Sequence, residues 1–175
     1  MTTVPWLGTA SSNYYAFIKG DQFGWFHHES PAARASTKSA TASGEDHWAL
    51  YTSERREIAD FIKSNAIREV IILHGDSHML AADDGRNGDY ATDGGAPMRV
   101  MCAGPLDQTP SIKGGPYSQG VYKVRAGEGC FGLLDFQDIG STIRVSYSGR
   151  NNLNEEKISL KFEVPIATTP SRSRP

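Results

Sequence analysis

Cysteine is scarce in this chain: Cys102 and Cys130 are the whole supply in 175 residues. Two cysteines permit at most one disulfide and fix no redox compartment. Each lies in an apolar, strand-like context, so buried thiols are expected, and their spacing fits no zinc pattern. Neither sign of charge is in excess, the formal net being -2. No Lys/Arg cluster exceeds a local pair, so nothing in the charge recruits nucleic acid or an anionic membrane. No apolar run approaches the ~20 residues that a membrane-spanning helix needs. The opening Met1–Trp6 has neither the basic nor the apolar region of an export signal. Histidine ends at His78, which removes any later imidazole from a catalytic scheme.

What is present divides into four stretches. Residues 1–45 combine scattered aromatics (Trp6, Tyr14, Tyr15, Phe17, Phe23, Trp25, Phe26) with a Ser/Ala/Thr-rich segment. That segment, residues 30–44, has almost no apolar bulk and is expected to be a mobile surface loop. Residues 46–66 hold the clearest helix. Thr52 or Ser53 serves as N-cap, and Glu54 and Glu57 lie where the helix dipole favours negative charge. Ile58, Phe61, Ile62 and Ala66 make one apolar stripe at helical spacing. Residues 79–96 read as a Gly/Asp-rich loop. Its Asp83, Asp84 and Asp89 lack the far-end glutamate of a calcium loop, so a solvated turn is expected.

The last stretch reads as strands: Met98–Ala103, Gly120–Arg125, Cys130–Phe136, Thr142–Tyr147 and Lys157–Val164. Strict alternation, as in Ile143, Val145 and Tyr147 against Arg144, Ser146 and Ser148, predicts antiparallel strands with one wet face. Asp138–Ser141 is a turn between two of them. The class is therefore α/β shading into α+β, as one domain over 1–165 with a disordered tail at 166–175.

The stretch Val70–His78 carries the chemistry. An apolar run without alternation predicts a strand buried on both faces at the centre of a sheet. It ends in glycine, carboxylate, hydroxyl and imidazole. Groups beyond the carboxyl end of such a strand are placed to hold ligands. Asp76 and His78, two residues apart, share a direction in extended chain. A carboxylate and an imidazole together form half of a metal site suited to Zn, Fe, Mn or a harder ion. The alternative is a structural histidine that caps the strand by hydrogen bonding.

Leu73–Ser77 resembles the nucleophile block of GDSL-type esterases, with Ser77 as the candidate. That family places its base histidine near the carboxyl end, and here none follows His78. A better resemblance rests on Asp46-His47-Trp48-Ala49-Leu50-Tyr51, Glu54–Ile58, Phe61-Ile62 and Val70–His78. It extends to Asp83–Gly85, Asp89-Tyr90, Gly94-Gly95, Lys113–Ser118, Ser148–Asn151 and the Val4-Pro5-Trp6 opening. Together these resemble the carboxyl-terminal part of PhoD-like alkaline phosphatases, within the calcineurin-like metallophosphoesterases.

The resemblance implies a partial two-sheet β-sandwich with flanking helices and a dinuclear metal centre at strand ends. It implies Asp76 and His78 as metal ligands, Ca, Fe, Mn or Zn as the ions, and a small-molecule phosphate ester as substrate. Asp46, Trp48, Tyr51 and Arg56 are implied to line or brace the site, with plain packing as the alternative. His74 stands where the family more often has a small or apolar residue. Relatives are often exported. The family's earlier ligand blocks are not found in residues 1–70, and the adjacent pair His27-His28 is a poor substitute because neighbouring side chains diverge. The expectation is thus a carboxyl-terminal half with weak metal binding and little turnover until the missing half is supplied. The rival from another class is a non-catalytic binding or scaffold module that keeps the fold without a complete metal site.

Overall fold

A computed structural model describes residues 6–7, 48, 51–75, 77–110, 112 and 114–166. Its one described α-helix, α1 (Thr52–Ser64), is followed by β1 (Ile71–His74), β2 (Met79–Asp83), β3 (Arg99–Cys102) and β4 (Val121–Lys123). Then come the long strands β5 (Cys130–Asp138), β6 (Thr142–Asn151) and β7 (Glu156–Pro165). The first four strands form a mixed sheet in the order β1-β3-β2-β4, and the last three an antiparallel sheet in the order β5-β6-β7. β1 and β3 are parallel, while β2 is antiparallel to both of its neighbours.

Period-2 alternation turns the mixed sheet into the middle of three layers. Met79, Ala81, Met98, Val100 and Cys102 face the helix side, packed with Ala59, Ile62, Trp6 and Leu7. Ala82 and Met101 face the other way, against Tyr147 and Leu160, and Leu80 joins Val124 and Cys130. All five residues of β2 are buried, as expected for a strand covered on both faces. The tyrosine hydroxyl of Tyr147 donates to the Cys102 carbonyl, tying the two sheets together. Both cysteines are buried free thiols.

The helix and the antiparallel strands follow the sequence closely, with three differences. First, α1 turns a different face inward: Arg55, Ala59 and Ile62 are buried, while Ile58 is 38% and Phe61 61% exposed. The small Ala59 admits close approach to the sheet. Arg55 fixes the phase by donating to the Trp6 carbonyl at 2.7 Å and lying over the Tyr90 ring at 3.6 Å. Tyr51 occupies the N-cap position and makes no side-chain cap bond. Second, β1 is an edge strand among the described residues, half-buried over Ile71–Leu73, rather than central. Third, Met79–Asp83, read as the start of a loop, is the central strand β2. Its two alanines and methionine give little β-propensity, and burial supplies what propensity does not.

The expected loop at 30–44 and the tail at 167–175 lie outside the described residues. So do Asp46, Asp76 and the pair His27-His28.

Candidate functional site

The carboxyl ends of β1 and β3 open together, because the two strands are parallel and in register, His74 beside Cys102. The chain leaving β1 turns back into β2 within four residues, Gly75 to His78. One carbonyl anchors that turn. The Gly75 oxygen accepts from the Ser77 backbone N–H at 2.7 Å, the Ser77 hydroxyl at 3.3 Å and His74 Nδ1–H at 3.0 Å. Ser77 is fully buried with its hydroxyl in this local bond, so it is not presented as a nucleophile.

His78 closes the turn in the left-handed region, at φ 52°, a conformation that costs a non-glycine residue about 1 kcal/mol or more. Its Nδ1 lies 2.6 Å from the Thr109 carbonyl oxygen. A carbonyl only accepts, so Nδ1 carries the hydrogen, and the neutral ring keeps its lone pair on Nε2. This is the arrangement in which a backbone oxygen fixes the tautomer and orientation of a metal-ligating imidazole.

His74, by contrast, is 3% exposed. With Nδ1–H given to Gly75, its neutral Nε2 accepts from the Tyr117 hydroxyl at 3.4 Å, and the two rings stack at 6.3 Å. Burial, the largest influence, pushes the Tyr117 hydroxyl well above its ordinary range, so it stays a donor. Tyr117 follows Gly114-Gly115-Pro116, and the Ala103 N–H donates to the His74 carbonyl. The loops after β3 and before β4 are thereby fastened to the turn that bears His78.

Of the other residues the sequence points to, Trp48 and Tyr51 sit in an aromatic cluster at the start of α1. Trp48 lies 5.1 Å from Trp6 and 6.2 Å from Tyr51, ring to ring. Arg56 is on the solvent side of the helix, and it is Arg55 that enters the cluster. Thr109 was not legible as a partner, since a backbone oxygen 31 residues away leaves no trace in composition. Tyr117 had a signal, the Gly-Gly-Pro turn before it, but nothing in sequence joined it to His74.

As a metal site the described residues are incomplete. His78 offers one fitted donor, and no group of three or more His, Cys, Asp or Glu side chains is placed to hold an ion among the described residues. Asp83, Asp84 and Asp89 do not add to it. Asp83 accepts from Gly85 N–H, Asn87 N–H, the Asn87 amide and Ser118 N–H. Asp89 accepts from the N–H groups of Ala91, Gly95 and Ala96.

The class defined so far is an α/β domain of helix, mixed sheet and antiparallel sheet, with an oriented imidazole where two parallel strands end. The family model of the PhoD-like phosphatases matches residues 18–125, more than half of the chain. The chain belongs to the PhoD-like phosphatase family. The matched span takes in α1, β1–β4 and the His78 turn, and stops before β5. No curated protein and no solved structure matches the chain.

Proposed function

We propose that the domain, taken over 1–165, hydrolyses phosphoric mono- or diesters with divalent or trivalent metal ions, and that Asp76 and His78 are two of the ligands. The observation that carries this reading is the His78 ring held by the Thr109 carbonyl with Nε2 turned away from it. Family membership supplies the reaction class. Ca, Fe, Mn or Zn in such a site polarises a phosphoryl oxygen and supplies hydroxide near neutral pH. The chain's own part is to orient: His74, Ser77 and Thr109 hold the turn, and His78 presents Nε2 from it. Asp46, Trp48, Tyr51 and Arg56 serve in this reading as bracing or lining groups.

The test is turnover of p-nitrophenyl phosphate and of its bis-ester by the purified protein with each metal in turn. Whatever rate is found should require metal and fall at least about tenfold in His78→Ala and in Asp76→Asn. Metal-independent turnover, or turnover indifferent to both substitutions, overturns the proposal. A second reading is a non-catalytic module with this fold, in which His78 only caps the strand through its bond to the Thr109 carbonyl. Metal analysis of the native protein separates the two: stoichiometric metal for the enzyme, none for the module.

A further inference from the structure

The opposite end of the mixed sheet carries a cavity of about 190 Å³. It is bounded by the end of α1, the link 66–70 and the segment 95–99. Ile62, Ile67, Val70, Ala96 and Pro97 give it apolar walls, and Arg68, Glu69, Asp84 and Arg99 give it charge. The parallel strands β1 and β3 begin here and end at the His78 turn, so four residues at ~3.3 Å each, about 13 Å, separate the two places.

The charges are not equivalent. Arg99 is paired with Glu69 and its guanidinium lies 4.0 Å from the centre of the Phe162 ring. Asp84 is bound by the Arg86 guanidinium at 2.9 Å and by the Ser118 hydroxyl at 3.0 Å. One ion pair, Arg99 with Glu69, therefore cancels within the lining, and Asp84 is neutralised from outside it by Arg86. Arg68 remains: no ion pair or hydrogen bond engages its side chain among the described residues. Among the described residues Arg68 is thus the lining guanidinium left without an ion pair, and it stands beside an aliphatic wall.

The walls are also built to stay open. The helix ends at Asn65, and Ala66 takes a left-handed φ of 51° with Ile67 N–H closing back onto the Ile62 carbonyl at 3.0 Å. Glu69 is left-handed as well, at φ 58°. On the facing side, Asp89 grips the N–H groups of Gly95 and Ala96, and Lys63 donates to the Thr92 carbonyl at 2.6 Å. Both rims are thus pinned by bonds of their own rather than by a filling side chain.

We infer that this cavity binds a small organic monoanion, a carboxylate with a short aliphatic chain, its head on the Arg68 guanidinium and its chain against Ile62, Val70 and Pro97. The space admits such a chain: it is many times the roughly 10–15 Å³ that one water needs on the same measure, room for a carboxylate of a few carbons. A guanidinium recognises carboxylate by paired N–H donors, and the aliphatic wall gains by burying the methylenes of the chain. Phosphate has the charge without the chain, and a primary alcohol the chain without the charge.

The experiment is amide-resolved NMR titration of the intact protein with butyrate, n-butanol and inorganic phosphate. It is repeated on Arg68→Ala, whose exposed side chain is not part of the core. Saturable butyrate shifts are expected at Arg68, Glu69, Gly95 and Ala96. Butyrate affinity should fall at least tenfold in Arg68→Ala and recover in part in Arg68→Lys. The inference is overturned by no saturable shift, by equal binding to the alanine variant, or by phosphate or butanol binding as well as butyrate. None of these results depends on phosphatase activity.

Discussion

Two turns leave the mixed sheet at opposite ends of β2, and they treat their polar side chains differently. In the loop after β2, the carboxylates of Asp83 and Asp89 are occupied by the chain's own donors. Asp83, completely buried, meets four of them, and Asp89 meets three backbone N–H groups. In the turn before β2, His78 gives one nitrogen to the backbone and keeps the other. Acidic residues crowd the first turn, yet the second is where chemistry has room. A side chain whose hydrogen-bonding capacity is exhausted acts as scaffold, and one half-satisfied and held in place is available to a ligand.

The widest gap between the two turns should appear on removing Asp83. Asp83→Ala orphans several buried N–H donors, each costing roughly 1–3 kcal/mol in part-compensated form, so a loss of about 4 kcal/mol is expected in urea unfolding. A loss under about 1 kcal/mol would mean that the loop re-satisfies itself and the scaffold assignment fails. Backbone approach gives the next largest contrast. A Cβ at Gly88 would stand 2.1 Å from the Met98 carbonyl oxygen, so Gly88→Ala should cost about 3 kcal/mol. At Gly75 a Cβ meets nothing within 4 Å, and Gly75→Ala should change stability by under about 0.5 kcal/mol. Similar melting temperatures for the two variants would erase the distinction.

The smallest effect concerns a surface network. Glu128 accepts from the Arg125 N–H, the Asn151 amide and the Tyr122 hydroxyl. Those bonds, the Arg125 N–H foremost, hold its carboxyl below the ordinary value of 4.5. A depressed carboxylate stabilises the fold above that ordinary value, and the contribution is lost as the pH falls through the lower folded-state value. Glu128→Gln should therefore lower the neutral plateau slightly and flatten the acid limb of a stability-against-pH curve below pH 4.5, the two curves meeting in acid. An identical acid limb in both proteins would remove Glu128 from the network.

Much of the fold was legible because period-2 alternation is a strong signal where one face is wet. β6 and β7 appear where Ile143–Tyr147 and Ile158–Val164 place them. The mixed sheet was harder. Burial on both faces abolishes alternation, so the edge strand β1, rich in isoleucine, looked central, and the central β2, rich in alanine, looked like loop. The helix was found but its phase was not, because a buried arginine among aromatics outweighs the apolar stripe of Ile58 and Phe61. At the site, His78 stood out by residue type and by position after an apolar run. Thr109 contributes only a main-chain oxygen, and Tyr117 reaches His74 across 43 residues. Neither link has a local signature.

The placement of β2 has a wider consequence. Its odd residues belong to one hydrophobic interior and its even residues to the other, so the two interiors share a single wall. Neither can be loosened by heat or by a poorly chosen substitution without unseating the same five residues. The helix-backed half and the strand-backed half stand or melt as one.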